Sequence, residues 1–132
     1  MTVWKAGGVS YVLPTEEIRI NLENSGSVLS PGVGQANYMA SYDGRITAWE
    51  IVGIPAGSIV VHVLKRNLAV PDSTNDITGS DPPTLTNENL NSNNQISGWT
   101  DVYVTKGDVF GVEIISASTV TNVVVTLKVE KW

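Results

Sequence analysis

At 132 residues, with thirteen acidic against eight basic residues and a net charge of −5, the chain is sized for one domain that buries roughly two-thirds of its unfolded surface. The basic residues stand singly apart from Lys65-Arg66, so a phosphate backbone finds no positive stripe and nucleic-acid binding is not expected. No apolar run approaches the ~18 residues of a membrane span, and with no cysteine the fold needs no disulfide.

The opening, Met1-Thr2-Val3-Trp4-Lys5-Ala6-Gly7-Gly8, has no apolar h-region, so export by a signal peptide is not expected. Residues 1–17 read as an N-terminal arm or edge strand, because Gly7-Gly8 and Pro14 interrupt any central strand. An arm carrying Trp4 and Tyr11 must lie on something, which makes these two candidate anchors to the chain's own core or to a neighbouring subunit. From Glu17 to Leu22, Ile18, Ile20 and Leu22 alternate with Arg19 and Asn21, the period of a half-buried strand. After a break at Ser30-Pro31-Gly32-Val33-Gly34, the stretch Gln35 to Tyr42 places Tyr38, Ala40 and Tyr42 on one side.

Asp43-Gly44 predicts a tight hairpin, since such turns need positive φ and glycine supplies it. The strand that follows, Arg45 to Ile54, alternates imperfectly, which predicts a bulge or burial on both faces. Pro55-Ala56-Gly57 reads as the next turn, leading to Ser58–Lys65 with Ile59, Val61 and Val63 inward. Short turns between successive strands predict an antiparallel meander or a Greek-key segment. The pattern then stops, and 66–95 reads as a long crossover loop in which only Leu85 to Leu90 suits a helical turn. Loops of this length are usually functional or cover one end of a barrel. Ile96 to Trp99 and Asp101 to Val104 read as short strands. The most regular pattern comes last: Phe110, Val112 and Ile114, then Val123, Val125, Leu127 and Val129, joined by Ser116-Ala117-Ser118-Thr119 and predicted to pair as an antiparallel hairpin. Eleven Asn and many Ser and Thr suit turns and strands rather than helices. The expected fold is all-β, an antiparallel β-sandwich of about eight strands in a single domain spanning 1–132.

Catalytic chemistry lacks its usual parts. His62 lies on a strand, and no Gly-x-Ser-x-Gly elbow supplies a nucleophile for it. Asp101 and Asp108 could be offered as a glycosidase pair, but Asp in turns is the simpler reading. One His and no Cys leave no ordinary transition-metal set. Asp72, Asn75, Asp76 and Asp81 gather hard oxygens that Ca²⁺ accepts, without EF-hand spacing; solvated turn residues are the default, and no cofactor is expected. Trp49 and Trp99 sit within apolar strands and are expected in the core. Trp4, Tyr11, Tyr103 and Trp132 are less constrained and suit stacking on sugars, a docked terminus or a subunit contact.

Several runs occur in a telling order: Asp43-Gly44-Arg45-Ile46-Thr47-Ala48-Trp49, Gly57 to Lys65, Ile77-Thr78-Gly79-Ser80-Asp81-Pro82-Pro83-Thr84-Leu85, Ile96-Ser97-Gly98-Trp99-Thr100, Gly107-Asp108-Val109-Phe110, and Val120 to Val129. Together, from about Asp43 to Lys131, they resemble a β-sandwich domain of tailed-bacteriophage virion proteins, found in tail-fibre, head-fibre and related particle proteins. The resemblance implies a jelly roll and a non-enzymatic virion component: a fibre, spike or capsid-decoration module, made in the host cytoplasm and assembled as a trimer. Its implied partners are further copies of itself, other virion proteins and a host-surface glycan. On this reading the long loop presents Asn67, Asp72, Asn75, Asp76 and Asp81 outward as receptor or glycan contacts together with Tyr103, and Trp4 and Tyr11 anchor the arm. The alternative is a carbohydrate-binding module that recognises a cell-surface glycan.

Overall fold

The computed structural model describes the backbone of residues 3–6 and 9–132 and the side chains from residue 13 onward. Its strands are β1 (Val3–Ala6), β2 (Val9–Val12), β3 (Thr15–Glu23), β4 (Gly32–Met39), β5 (Gly44–Asn67), β6 (Thr84–Asn93), β7 (Tyr103–Val104), β8 (Asp108–Ser118) and β9 (Asn122–Lys131), with a single 3-10 turn at Ser73–Asn75. The fold is all-β, and every strand pairing is antiparallel. No described helix is long and apolar enough to cross a membrane. β1 and β2 pair with each other, while the remaining strands form one sheet in the order β3-β9-β5-β8-β4, with β6 and β7 also on β5.

β5 organises the sheet. It runs for 24 residues, and its two ends have different neighbours: 44–54 pairs with β9, and 58–67 pairs with β8. β6 follows it round, with Asn93 to Leu90 against the first part and Glu88 to Thr84 against the second. The change of partner falls at Pro55-Ala56-Gly57. Proline there has no N–H to give to a ladder, and a Cβ on Gly57 would lie 2.4 Å from the Ser118 carbonyl. The sheet therefore curls about this corner, and the inward positions of all its long strands meet.

Alternation decides what goes inside. Ile18, Ile20 and Leu22 of β3, Ile59, Val61 and Val63 of β5, Phe110, Val112 and Ile114 of β8, and Val123, Val125, Leu127 and Val129 of β9 are all buried in one cluster. Trp49 and Trp99 join it, as expected from sequence. The imperfect alternation of β5 has a local cause. A register shift between Ile46 and Ala48 inserts an extra residue, so that Ile46 and Trp49 both face inward.

Five local expectations are corrected. β8 and β9 are not a hairpin: each pairs with a different part of β5, because the 119–121 link crosses the corner, held by Thr119 Oγ1 to the Ala56 carbonyl at 2.9 Å and Thr121 N to the Ile54 carbonyl at 2.9 Å. Asp43-Gly44 closes no hairpin, since β4 pairs with β8. Asp43 instead accepts from Lys106 N (2.8 Å) on its carboxylate and from Trp132 N (2.9 Å) on its carbonyl, and Gly44 is needed because the Glu130 carbonyl would stand 2.3 Å from a Cβ. Pro55-Ala56-Gly57 bends one continuous strand rather than separating two, so consecutive strands do not form a meander. Finally, the 66–95 segment is not all loop. It contains β6, which holds Leu85 to Leu90 extended rather than helical, whereas Ile96 to Trp99 is a turn, with Trp99 N bonded to the Ile96 carbonyl at 3.0 Å.

Candidate functional site

The start of β5, the short β7 and the end of β9 converge at one corner of the sheet: Arg45 is opposite Tyr103 on one side and Glu130 on the other. Tyr103 thus emerges beside Trp132, whose backbone is tied to the Asp43 carbonyl at 2.9 Å. Their rings lie 5.8 Å apart and tilted by 54°, an arrangement aromatic pairs favour. Both remain more than half exposed, at 55% and 65%. Large aromatic area left in water beside a polar rim marks contact surfaces on soluble proteins. Next to the pair, Lys131 Nζ stands 5.4 Å from the Tyr42 ring centroid. The Tyr42 hydroxyl bonds that of Tyr38 at 3.2 Å, and burial, followed by that contact, pushes the Tyr42 phenol above its ordinary range.

Beneath Tyr103 lies a compact ionic network. Lys65 Nζ, on a mostly buried side chain, donates to Asp101 Oδ2 at 2.5 Å and to the Tyr103 carbonyl at 3.0 Å, with Asp108 Oδ2 at 3.8 Å. Asp101 Oδ1 accepts from Tyr103 N at 3.0 Å, so the Tyr103 backbone is gripped on both sides. Asp108, also buried, accepts from Thr105 N at 2.8 Å and from Asn67 Nδ2 at 3.1 Å. A buried ion set of this kind holds its shape only when the remaining lone pairs are satisfied, as these are. Its chemical effect is to fix the strand that carries the exposed ring.

Of the sequence-predicted contact residues, the structure brings two together: Asn67 and Tyr103 share this network. Asp72, Asn75 and Asp76 are occupied locally. Asp72 Oδ1 accepts from Thr74 N at 2.9 Å while Asp72 N donates to Asn75 Oδ1 at 2.8 Å, a reciprocal cap on the 3-10 turn. The Thr74 hydroxyl, then the Thr74 N–H, holds the Asp72 carboxyl below its usual range. Asp76 accepts from Thr78 N at 2.8 Å and from the Thr78 hydroxyl, and its other oxygen lies 3.7 Å from His62 Nδ1. His62 also faces Glu113 at 4.0 Å. The Asp81 carbonyl takes the Trp99 indole N–H at 2.8 Å. The side-chain oxygens of Asp72, Asn75 and Asp76 are thus bound into local turns, while the buried Asp81 Oδ2 has no partner among the described residues; among the described residues no three His, Cys, Asp or Glu are grouped to hold a metal ion. Trp4 and Tyr11 are register partners in β1 and β2, and their side chains lie outside the described residues.

Sequence reading marks Lys65 only as half of the one basic pair, Lys65-Arg66, and a Lys carries no periodic signal of burial beneath a corner. It also passed over the outward positions of β3, β9 and β5, which ordinary alternation marks only as solvated. No protein-family model and no curated protein matches the chain.

Proposed function

We propose that this chain is a jelly-roll sandwich serving as a non-enzymatic attachment module of a bacteriophage particle, a fibre, spike or capsid decoration that assembles as a trimer and contacts the host surface. The observation that carries the reading is the strand order. Cut at the β5 corner, the pairings sort into β3-β9-β5(44–54)-β6(90–93) and β4-β8-β5(57–67)-β6(84–88). These are two four-stranded antiparallel sets that exchange the chain at nearly every connection, which supports reading the fold as an eight-stranded jelly roll. Viral capsid and lectin domains use that architecture for assembly and recognition. The exposed Tyr103–Trp132 pair on its rigid ionic base supplies a contact point of the kind such a module needs.

The same pair favours the second reading, a carbohydrate-binding module, since flat exposed rings stack on sugars. Mass spectrometry of purified virions of the phage encoding the chain, with its position mapped by cryo-microscopy, tests the first reading. Detection at stoichiometric level is the expected result, with a trimer by native mass spectrometry. A monomer absent from the particle overturns it.

A further inference from the structure

We propose that the outward face of β3, β9 and the first part of β5 is a binding trough for a neutral oligosaccharide. Three depressions open on this face, of about 460, 380 and 570 Å³, each within the roughly 300–1,000 Å³ of small-ligand sites. They are contiguous: Lys128 borders the first and second, Asn94 the second and third, and Thr47 the first and third. Together they run across the sheet from Glu17 and Arg19 on β3 to the 94–99 turn beyond β6. Arg45, which lines the third, is the direct register partner of Tyr103. The trough therefore leads to the Tyr103–Trp132 rings.

Charge and hydrogen-bonding capacity select the ligand. The cations lining the trough, Arg19, Arg45 and Lys128, are matched by Glu16, Glu17 and Glu50. Glu17 itself lies 3.1 Å from Arg19 and 3.5 Å from Lys128. Opposite charges this close leave little field at the ligand's position, so neither a polyanion nor a polycation gains much there. Beside apolar Ile96, Trp99 and Val102, the uncharged polar lining is amide and hydroxyl, with Thr47, Ser92, Asn93, Asn94, Gln95 and Ser97. Each both donates and accepts, as a sugar hydroxyl does. Trp49 borders the second depression, and its buried indole Nε1 has no partner among the described residues; buried donors in proteins normally have one. Amides and hydroxyls along a trough, with aromatic rings at one end, suit an uncharged, hydroxyl-rich chain.

This inference deepens the attachment reading and rests on it for its biological setting, yet the two can fail separately. The test is the intact protein on an array of neutral, sialylated and sulfated oligosaccharides, at about 50 and 500 mM salt, which brackets strong and weak screening. Binding to neutral members, changed less than about twofold by salt, is expected. Asn94→Ala and Thr47→Val should each weaken it about tenfold, as loss of a well-placed hydrogen bond does, while Asp72→Asn in the distant turn leaves it unchanged. An array with no bound glycan overturns the inference, as does selective, salt-sensitive binding of anionic members. Equally fatal is binding abolished by Asp72→Asn but not by Asn94→Ala. A protein found on virions that binds no glycan defeats this inference alone; one that binds neutral glycans but is absent from virions defeats the attachment reading alone.

Discussion

Replacing Gly57 by alanine tests the corner on which the architecture turns. A Cβ at this position would lie 2.1 Å from Thr119 Oγ1, 2.4 Å from the Ser118 carbonyl oxygen and 3.0 Å from Val120 Cγ2. The first of these could rotate away, but Thr119 Oγ1 bonds the Ala56 carbonyl at 2.9 Å, and losing that bond costs about 1 kcal/mol. The second is backbone and can move only if the 118–121 crossing moves with it. Overpacking of this kind costs roughly 1–3 kcal/mol, so Gly57→Ala should destabilise by about 2–4 kcal/mol. That is a large share of the ~5–15 kcal/mol that holds a domain folded. Urea unfolding followed by fluorescence of the buried Trp49 and Trp99 reads it directly. Gly26→Ala is the matched control. Gly26 has φ +83 with nothing within 4 Å of a Cβ, so its alanine variant meets backbone strain alone, about 1 kcal/mol. If Gly57→Ala costs no more than Gly26→Ala, β5 does not turn against the 118–119 backbone, and the division into two strand sets falls with it.

Further outcomes follow from the site. Lys65→Met removes the cation between Asp101 and Asp108, leaving the nearly inaccessible Asp108 carboxylate (4% exposed) without its ammonium; a loss of about 3 kcal/mol is expected by chemical denaturation, and a loss below about 1 kcal/mol would make the network incidental. Tyr103→Ala and Trp132→Ala, at 55% and 65% exposure, should each change stability by less than about 1 kcal/mol while weakening particle or glycan binding; a fall above about 2 kcal/mol would make the rings structural. The hydrogen bonds from Thr74 that depress the Asp72 carboxyl give a pH sign. A depressed carboxylate contributes stability that is present above the unfolded value near ~3.9 and lost as pH falls through the folded value. An NMR titration of Asp72 should therefore show a midpoint below that value, moving up in Thr74→Ala. A midpoint at or above it in the parent protein refutes the cap.

The all-β class and the core positions of the long strands β3, β5, β8 and β9 are legible in the sequence because period-two alternation reports which face of a strand is dry. It does not report which strand lies next door. β8 and β9 turn their apolar halves into the same cluster, and from pattern alone that is indistinguishable from pairing with each other, although β5 provides a partner for both. β6 escaped notice for the complementary reason. Leu85 is its only fully buried side chain, so an edge strand built largely of Asn, Thr and Ser leaves no alternation to find. Tyr103 was legible as an unconstrained aromatic, whereas Lys65 was not legible as its support, since the two are neighbours only after three strands converge.

The outward face shows what alternation conceals. Thr126 and Glu130 occupy outward positions of β9, where a sequence reading places solvated residues, yet they are only 3% and 5% exposed. A short hydroxyl and a carboxylate on an outer face reach such burial when long side chains on the flanking strands close over them. Thr126 sits on the rung Arg19–Thr126–Glu50 beside the Glu17–Lys128 pair, and Glu130 on the rung Thr15–Glu130–Arg45. Side chains already paired in the free protein lose less rotamer freedom when a ligand arrives, and that ordering cost weakens polar recognition. The polar half of these strands is therefore prepared to bind in the same physical sense as the apolar half is prepared to pack. Replacing Glu17 by alanine should loosen Arg19 and Lys128 and weaken saccharide binding without touching Asn94, an effect that a purely local contact model of the trough does not produce.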